Sequence, residues 1–246
     1  MHYTNHLMIV CGLPYSGMHA IMEWFRPQDD ITLLVNNVQR PPVLERQRHP
    51  DLSAIPESDL LIVSFEHDSP KTLIAHADEV QFTKHRQRSI LLIIRDPLNF
   101  YASVLQNWRN LNRTEEQIDS VMRNVVIAWK NLAKEIVGDT EHIPDKIVVN
   151  FNLWFCDYSY RQMLSKTLGL RFTDESRDQL ATSGGWISSS FDGRNWAGHA
   201  TEMKVLNRWE KFIHDKTFRR FFDEETKELG HRIYGPWMPV LPEEIK

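Results

Sequence analysis

Short apolar runs alternate with helical patterns along the first two thirds of the chain. Five of the runs are typical of strands that are buried on both faces of a sheet, because they are nearly continuous in apolar residues. They cover residues 7–11, 31–35, 60–65, 89–94 and 147–151. Because helical segments separate them, the pattern predicts an α/β fold with a mostly parallel central sheet and helices on both faces. We find no domain boundary and treat residues 1–246 as one domain.

The helical segments are predicted at 17–25, 71–80, 99–108, 114–138 and 160–168, with a further helix at 205–212. The clearest is 114–138, because Thr114 and Gln117 have the spacing of a capping box and Gly138 supplies a stop. Its apolar residues, Ile127 among them, broadly keep the helical spacing of a buried face. Residues 38–58 contain four prolines and many charges and are interpreted as a long loop.

Composition and charge narrow the class of protein. The net charge is −4, which argues against a dedicated nucleic-acid-binding protein, since such domains are normally basic. The two cysteines, Cys11 and Cys156, are too few for a disulfide scaffold, and we expect both to be buried thiols. No apolar run approaches the roughly 20 residues that span a bilayer. The expectation is a cytoplasmic protein without a membrane partner, either a monomer or a homodimer.

The strand at 7–11 runs into a turn that contains two glycines, and a helix follows. Gly12 and Gly17 have the spacing of a Walker loop, and the amide groups of such a turn, with the helix N-terminus, form an anion site. Met18 and His19 stand where that loop requires Lys and Ser or Thr, which disfavours an ATP-dependent kinase. By itself the segment is either a phosphate-binding loop or a junction whose glycines serve geometry alone.

The strand at 89–94 ends in Arg95-Asp96-Pro97, and Ser103 follows within the next helix. An arginine at the carboxyl end of a parallel strand projects toward the edge where open α/β sheets bind ligands. A guanidinium and a hydroxyl group at this spacing can meet at one phosphate. The alternative is an Arg95–Asp96 pair on the surface beside an ordinary helical serine.

In this order, the two motifs resemble those of the sulfotransferases that use 3′-phosphoadenosine 5′-phosphosulfate (PAPS). The family's 5′-phosphosulfate loop is Pro-Lys/Arg-Ser-Gly-Thr, and this chain reads Pro14-Tyr-Ser-Gly-Met18. The family's 3′-phosphate motif is Arg-Asn/Asp-Pro followed by Ser, as in Arg95-Asp-Pro and Ser103. A third stretch, from 147 to the Leu-Gly at 168–169, is similar to a strand and helix of the family. The likeness covers roughly residues 7–170.

The resemblance implies PAPS as sulfate donor, 3′-phosphoadenosine 5′-phosphate (PAP) as product and no metal. It also implies a small-molecule acceptor that receives the sulfuryl group on a hydroxyl, or less readily on an amine. A late loop of the family closes over the 3′-phosphate, and Arg194 fits that part, with Arg208 as a substitute. The cofactor-binding residues so implied are Pro14, Tyr15, Ser16, Gly17, Met18, His19, Arg95, Ser103 and Arg194.

The chain departs from the family within the loop. Tyr15 replaces the usual Lys or Arg, and Met18 and His19 replace two threonines. At the start of the helix, His19 is expected to supply part of the missing charge or hydrogen bonding. These changes are the evidence for one alternative, a sulfotransferase-like binding protein with impaired catalysis. The other alternative, an ATP-dependent small-molecule kinase, would need Mg²⁺ and a lysine near the loop.

The family's general base follows the strand between the two motifs and is His in many small-molecule enzymes and Glu in several carbohydrate enzymes. This chain has Glu66 and His67 there. A His has an ordinary pKa near 6.5, which suits removal of a proton from an acceptor near neutrality. His67 is therefore the predicted base, with Glu66 second and His19 a further catalytic candidate. The alternative is a polar strand end that caps the next helix.

Overall fold

The structure is a computed structural model that describes residues 3–38, 56–66, 69–79, 84–178, 191, 196 and 198–241. The described residues form one five-stranded sheet in the order β2-β3-β1-β4-β5, and all neighbouring strands are parallel. This confirms the predicted α/β fold. The strands are β1 (Tyr3–Gly12), β2 (Thr32–Val35), β3 (Ser58–Phe65), β4 (Lys84–Ile94) and β5 (Ile147–Asn150).

Helices connect the strands, and short 3₁₀ segments occupy much of the last third. In the described residues, no helix is both long and apolar enough to cross a bilayer. The helices are α1 (Met18–Phe25), α2 (Pro70–Glu79), α3 (Pro97–Asn110), α4 (Glu115–Val137), α5 (Phe151–Cys156), α6 (Tyr158–Leu168), α7 (Lys216–Arg219) and α8 (Glu224–Tyr234).

The core consists of two apolar layers, one on each face of the sheet. Along β1, Leu7 and Ile9 belong to one layer, and Met8 and Val10 belong to the other. Successive side chains of a strand point to opposite faces, so a strand covered on both sides is apolar throughout. The first layer is completed by α2, α3, α4 and α8, and the second by α1, α5 and α6.

Helix α4 has the predicted ends but not all of the predicted buried face. The Thr114 hydroxyl oxygen accepts from the Gln117 amide, the Gln117 side chain accepts from the Thr114 amide, and Gly138 ends the helix with φ +83°. Ile127 was assigned to the buried face, and this is wrong because its side chain is 57% exposed. It lies beside a cavity, described below, rather than against the first layer.

Three further predictions need correction. Cys156 is exposed because it ends α5, whose buried residues include Phe151 and Trp154, whereas Cys11 is buried as predicted. Phe151 begins α5 instead of ending β5, since the Asn150 side chain accepts hydrogen bonds from the next amides and caps the helix. The helix predicted at 205–212 is only a 3₁₀ turn, Arg208–Phe212.

Candidate functional site

The carboxyl ends of β1, β3 and β4 lie side by side at one edge of the sheet. β1 runs into the loop at residues 13–17, β3 into Glu66, and β4 into Arg95. β1 lies between the other two, and the chain crosses it on the way from β3 to β4. Open α/β sheets bind their ligands at such a switch in strand order, so this edge is the candidate site.

The phosphate loop is a tight turn whose shape depends on one glycine. The Ser16 amide donates to the carbonyl oxygen of Leu13 over 3.0 Å. Gly17 has φ +89°, and a Cβ there would lie 2.1 Å from the Phe151 ring, so the position excludes any side chain. Tyr15 also has a left-handed backbone, with φ +72°, which is uncommon for a residue other than glycine.

The Ser16 hydroxyl is buried in the loop and has no hydrogen-bond partner in the described part of the chain. A buried hydroxyl without a partner is costly, so it is available to a ligand in the turn. Met18, by contrast, packs its side chain into the second layer of the core, which leaves its backbone amide as the group that can face a ligand. Pro14 is partly buried in the same turn.

Arg95 connects the phosphate loop to the second motif. Its Nη1 donates to the carbonyl oxygen of Tyr15 over 3.3 Å and to the Ser103 hydroxyl over 3.1 Å, and its Nη2 donates to the carbonyl oxygen of Val205. The guanidinium carbon lies 5.0 Å from the centre of the Phe151 ring. The two motifs that sequence reasoning placed at one ligand are thus in direct contact.

A second arginine reaches the same hydroxyl. Ser103 Oγ accepts from Nη1 of Arg208 over 3.0 Å and donates to the carbonyl oxygen of Asn99 over 2.7 Å. Burial, followed by the nearby charge of Arg208, lowers the pKa of Arg95 to about 9. No carboxylate of the described residues lies within ion-pair distance of Arg95. The cluster of Arg95, Ser103 and Arg208 therefore concentrates positive charge that an anion would stabilise.

Asp96 supports this cluster and offsets part of its charge without forming an ion pair with Arg95. Its carboxylate accepts from the backbone and side chain of Asn99 and from the side chain of Asn152, all within 3.1 Å. Asp96 and Arg95 are both buried, so the alternative of a surface ion pair is wrong. The Trp129 indole nitrogen donates to the carbonyl oxygen of Arg95 over 2.9 Å. These bonds hold the end of β4 in one position.

His19 and Glu66 form a pair on the other side of the loop. Nε2 of His19 lies 2.9 Å from Oε1 of Glu66 and 3.1 Å from Oδ1 of Asn36. The hydrogen bond with Glu66 raises the pKa of His19, and partial burial opposes this shift. Glu66 is buried, and the predicted base His67 lies outside the described residues.

Tyr15 does not replace the cation that the family carries in the loop. Its hydroxyl accepts from Nδ2 of Asn107 over 2.8 Å, which ties the side chain to α3. Burial is the main reason that the pKa of Tyr15 is raised, so the phenol is neutral at physiological pH. The residue is still 40% exposed and can pack against a ligand.

A cavity of about 180 Å³ opens beside the start of the phosphate loop. Asn124 and Asn131 of α4 lie about one helical turn before and after the exposed Ile127, and Ser69, next to the start of α2, also lines the cavity. No charged side chain is among its described lining residues. They are Cys11, Gly12, Leu13, Ser69, Pro70, Asn124, Ile127, Ala128, Asn131 and Leu132.

Sequence reasoning gave Arg208 only as a substitute, and it missed Asn36 and Asn107. Arg208 lies 105 residues from Ser103, so spacing carried no signal, and its predicted rival Arg194 lies outside the described residues. Asn36 directly follows β2, and a polar residue at the carboxyl end of a parallel strand was a usable signal. Within the described residues, no cluster of three or more His, Cys, Asp or Glu side chains is placed to hold a metal ion.

No protein-family model matches the chain, and no curated protein matches its sequence. The comparison with solved structures, in contrast, finds similar proteins. Mouse sulfotransferase SULT7A1, complexed with PAP, is similar with a TM-score of 0.55 and 15% identity, over 93% of this chain and 89% of that chain. The sulfotransferase domain of the Synechococcus PCC 7002 olefin synthase is similar with a TM-score of 0.53 and 13% identity, over 95% and 96%. The chain therefore has the sulfotransferase fold.

Proposed function

We propose that the chain transfers a sulfuryl group from PAPS to a hydroxyl group of a small-molecule acceptor. The observation that carries this proposal is the cluster of Arg95, Arg208 and Ser103, two guanidinium groups that meet at one hydroxyl next to a phosphate loop. Such a cluster suits a second phosphate on the same nucleotide. The similar mouse sulfotransferase was solved with PAP, which supports a donor of this class.

The donor would be held at both of its phosphorylated ends. The cluster would bind the 3′-phosphate, while the loop amides, the Ser16 hydroxyl and the N-terminus of α1 would bind the 5′ group. The hydrogen bond between Arg95 and the Tyr15 carbonyl fixes the two ends relative to each other before the ligand arrives. This preorganisation lowers the entropic cost of binding.

The transfer itself makes one bond to sulfur and breaks another. The acceptor oxygen attacks the sulfur, the bond from sulfur to the 5′-phosphate oxygen breaks, and its electron pair leaves with PAP. A general base takes the acceptor proton. We keep His67 in that role, because one oxygen of the Glu66 carboxylate is bonded to His19 and an imidazole suits proton removal near neutral pH. We expect His67→Ala to lose most turnover and to retain PAP binding, and full turnover in this variant would remove His67 from the reaction.

The acceptor would occupy the cavity beside the loop. Its described walls supply side-chain amides and a hydroxyl but no charge, and its size of about 180 Å³ is below the usual range for drug-sized ligands. We therefore expect a small neutral acceptor with a hydroxyl group, and an amine as the second choice. An anionic acceptor would find no counter-charge among these lining residues.

Calorimetry with three nucleotides tests the donor. PAP and 5′-AMP differ by the 3′-phosphate, and we expect PAP to bind at least about a hundredfold more tightly, because 5′-AMP lacks the group that Arg95 and Arg208 would contact. Preference for ATP with Mg²⁺ would instead support the kinase alternative. Incubation with PAPS and a panel of neutral alcohols, phenols and amines, followed by mass spectrometry, tests transfer. PAP binding without transfer to any member of the panel would favour the binding protein.

A further inference from the structure

A negative charge, that of Glu66, lies next to the phosphate loop, where the proposed donor would bring further negative charge. Residues 12–19 contain no Lys or Arg, and the buried Glu66 lies directly beside this segment through its bond to His19. Among the described residues, neither His19 nor Glu66 contacts a lysine or an arginine. An anion in the loop would therefore be repelled by Glu66 unless a positive charge stood between them.

We propose that His19 and Glu66 act as one proton-linked anion contact, in which His19 is doubly protonated when the donor's 5′ group is bound and Glu66 holds its ring in place. The inference rests on the proposed function, because it assigns the loop to the donor. It makes His19 a cofactor-binding residue and Glu66 a positioning residue, and it removes Glu66 from the role of base.

The hydrogen bonds fix which ring nitrogen faces the ligand. Both neighbours of Nε2, the Glu66 carboxylate and the Asn36 side-chain oxygen, are acceptors, and that Asn36 oxygen also accepts from the Ser64 hydroxyl. Nε2 must therefore carry a proton in either charge state of the ring. Nδ1 makes no hydrogen bond to the described part of the chain. The His19 side chain is 42% exposed, and Nδ1 is the ring nitrogen that remains for a ligand.

The charge of the pair depends on one proton. With a neutral His19 the pair carries −1, and with a protonated His19 it carries zero. The other groups that face it are Glu23 on α1, a further negative charge, the neutral amide of Asn36 after β2, and the Tyr15 phenol of the loop. The Glu66 bond raises the pKa of His19, and burial raises the pKa of Tyr15 above its ordinary value of 10. The charge of the pair is therefore expected to change from zero to −1 as the pH rises through the raised pKa of His19.

Linkage gives the direction of the effect. An anion binds the protonated form more tightly, so its affinity falls as the pH rises through the pKa of His19. By reciprocity the bound anion raises that pKa by the same factor. One unit charge about 5 Å from an anion near the protein surface is worth about tenfold in affinity, a value between the water and protein limits. A tenfold change in anion affinity corresponds to a rise of about one unit in the pKa of His19.

The decisive measurement is the pKa of His19 followed by its ring-proton NMR signal, free and with ligand. The signal is assigned among the eleven histidines by its loss in His19→Gln. The ligands are PAP and inorganic sulfate. Sulfate keeps the same charge throughout the pH titration, and a phosphate monoester has finished titrating above about pH 7. We expect both ligands to raise the pKa of His19, and the affinity for PAP to fall by up to about tenfold as the pH rises through the measured value.

Two variants serve as controls. In His19→Gln the dependence of PAP affinity on pH should shrink to less than about twofold. His231→Gln, the same substitution on an exposed position of α8, should keep the full dependence. If the dependence disappears in His67→Gln and persists in His19→Gln, the proposal is wrong. It is also wrong if PAP binds and the pKa of His19 does not move.

The test separates this inference from the proposed function. If PAP fails to bind at every pH while sulfate still raises the pKa of His19, the donor is wrong and the anion contact stands. If PAP binds with the same affinity below and above the measured pKa of His19, the donor stands and the contact is overturned.

Discussion

The two ends of the candidate site are built in different ways. At the end of β4, Arg95 is buried, makes three hydrogen bonds through its terminal nitrogens and stacks near an aromatic ring. At the other end, the pair of His19 and Glu66 rests on a half-exposed imidazole. Near neutral pH, one end has a charge held in a fixed place, and the other has a charge that changes as the pH rises through the pKa of His19. Near neutral pH, anion recognition by Arg95 should be the stronger, and recognition by His19 should be weaker and adjustable by pH.

The largest effect is expected from Arg95→Ala. Removal of a charge-assisted fork should weaken PAP binding by about 3 kcal/mol, or more than a hundredfold, because hydrogen bonds to charged groups contribute about 1.5–3 kcal/mol each. Calorimetry measures the loss, and circular dichroism verifies that the variant is folded. Arg95→Lys keeps the charge without the two-pronged guanidinium, so its affinity for PAP should lie between those of wild type and Arg95→Ala. An unchanged affinity in Arg95→Ala would show that PAP binds elsewhere.

The shape of the loop should be the next most sensitive feature. Gly17→Ala adds a Cβ against the Phe151 ring in a left-handed backbone and should lower the free energy of unfolding by about 3 kcal/mol in urea titrations. Gly138→Ala is the matched control: its φ is +83°, but nothing lies within 4 Å of the new Cβ, so about 1 kcal/mol is expected. Equal losses would mean that the Phe151 ring moves aside without cost.

A smaller effect is expected from Ser103→Ala. The hydroxyl bridges Arg95 and Arg208, and its loss should weaken PAP binding by about 1.4 kcal/mol, or tenfold, while 5′-AMP binding stays the same. Ser165→Ala is a suitable control, because Ser165 is also a buried serine within a helix, α6. Its hydroxyl donates to the side chain of Gln28 instead of contacting the cluster. Equal weakening of PAP and 5′-AMP would place Ser103 outside the 3′-phosphate contact.

The smallest effect concerns the stability of the His19–Glu66 pair without ligand. The pKa of His19 is raised in the folded protein, so the stabilisation is fully present below the unfolded value of 6.5 and is lost as the pH rises through the folded value. Compared with wild type, Glu66→Gln should lose the most stability near pH 6 and less at pH 9, by under about 1 kcal/mol since the pair is partly exposed. Denaturant titrations at both pH values measure this.

Glu202→Gln provides the control for that experiment. Glu202 pairs with His199 over 3.1 Å, but both side chains are about two-thirds exposed. Solvent screening should leave this variant within error of wild type at both pH values. A pH-dependent loss as large as that of Glu66→Gln would show that any surface His–Glu pair behaves in the same way, and the comparison of the two ends would lose its basis.

The sequence predicted the sheet, the loop and the meeting of Arg95 with Ser103 because each depends on local patterns. Apolar runs mark strands that are covered on both faces, and a motif at the end of a parallel strand must lie at the same edge as the others. The first five residues of β4, from Lys84 to Arg88, were missed because they are charged or polar and exposed, so they carry no apolar signal.

The sequence did not predict the pairing of His19 with Glu66. The two residues are 47 positions apart, and their contact requires β3 to lie next to β1, which the apolar pattern does not specify. The approach of Arg208 to Ser103 has the same origin, since a segment of the last third reaches the cluster from 105 positions away. Cys156 shows the limit of composition: aromatic neighbours in sequence did not bury a residue at a helix end.

The hydrogen bond between Arg95 and the carbonyl oxygen of Val205 limits where the chain can be cut into fragments. Arg95 bonds to it across 110 positions, and Asn99 bonds to the carbonyl of Leu206 in the same way. A fragment that stopped after the last strand and its helices would contain every strand of the sheet, yet it would leave a buried guanidinium short of an acceptor. A version split into two fragments should therefore keep residues 205–208 in the same fragment as β4.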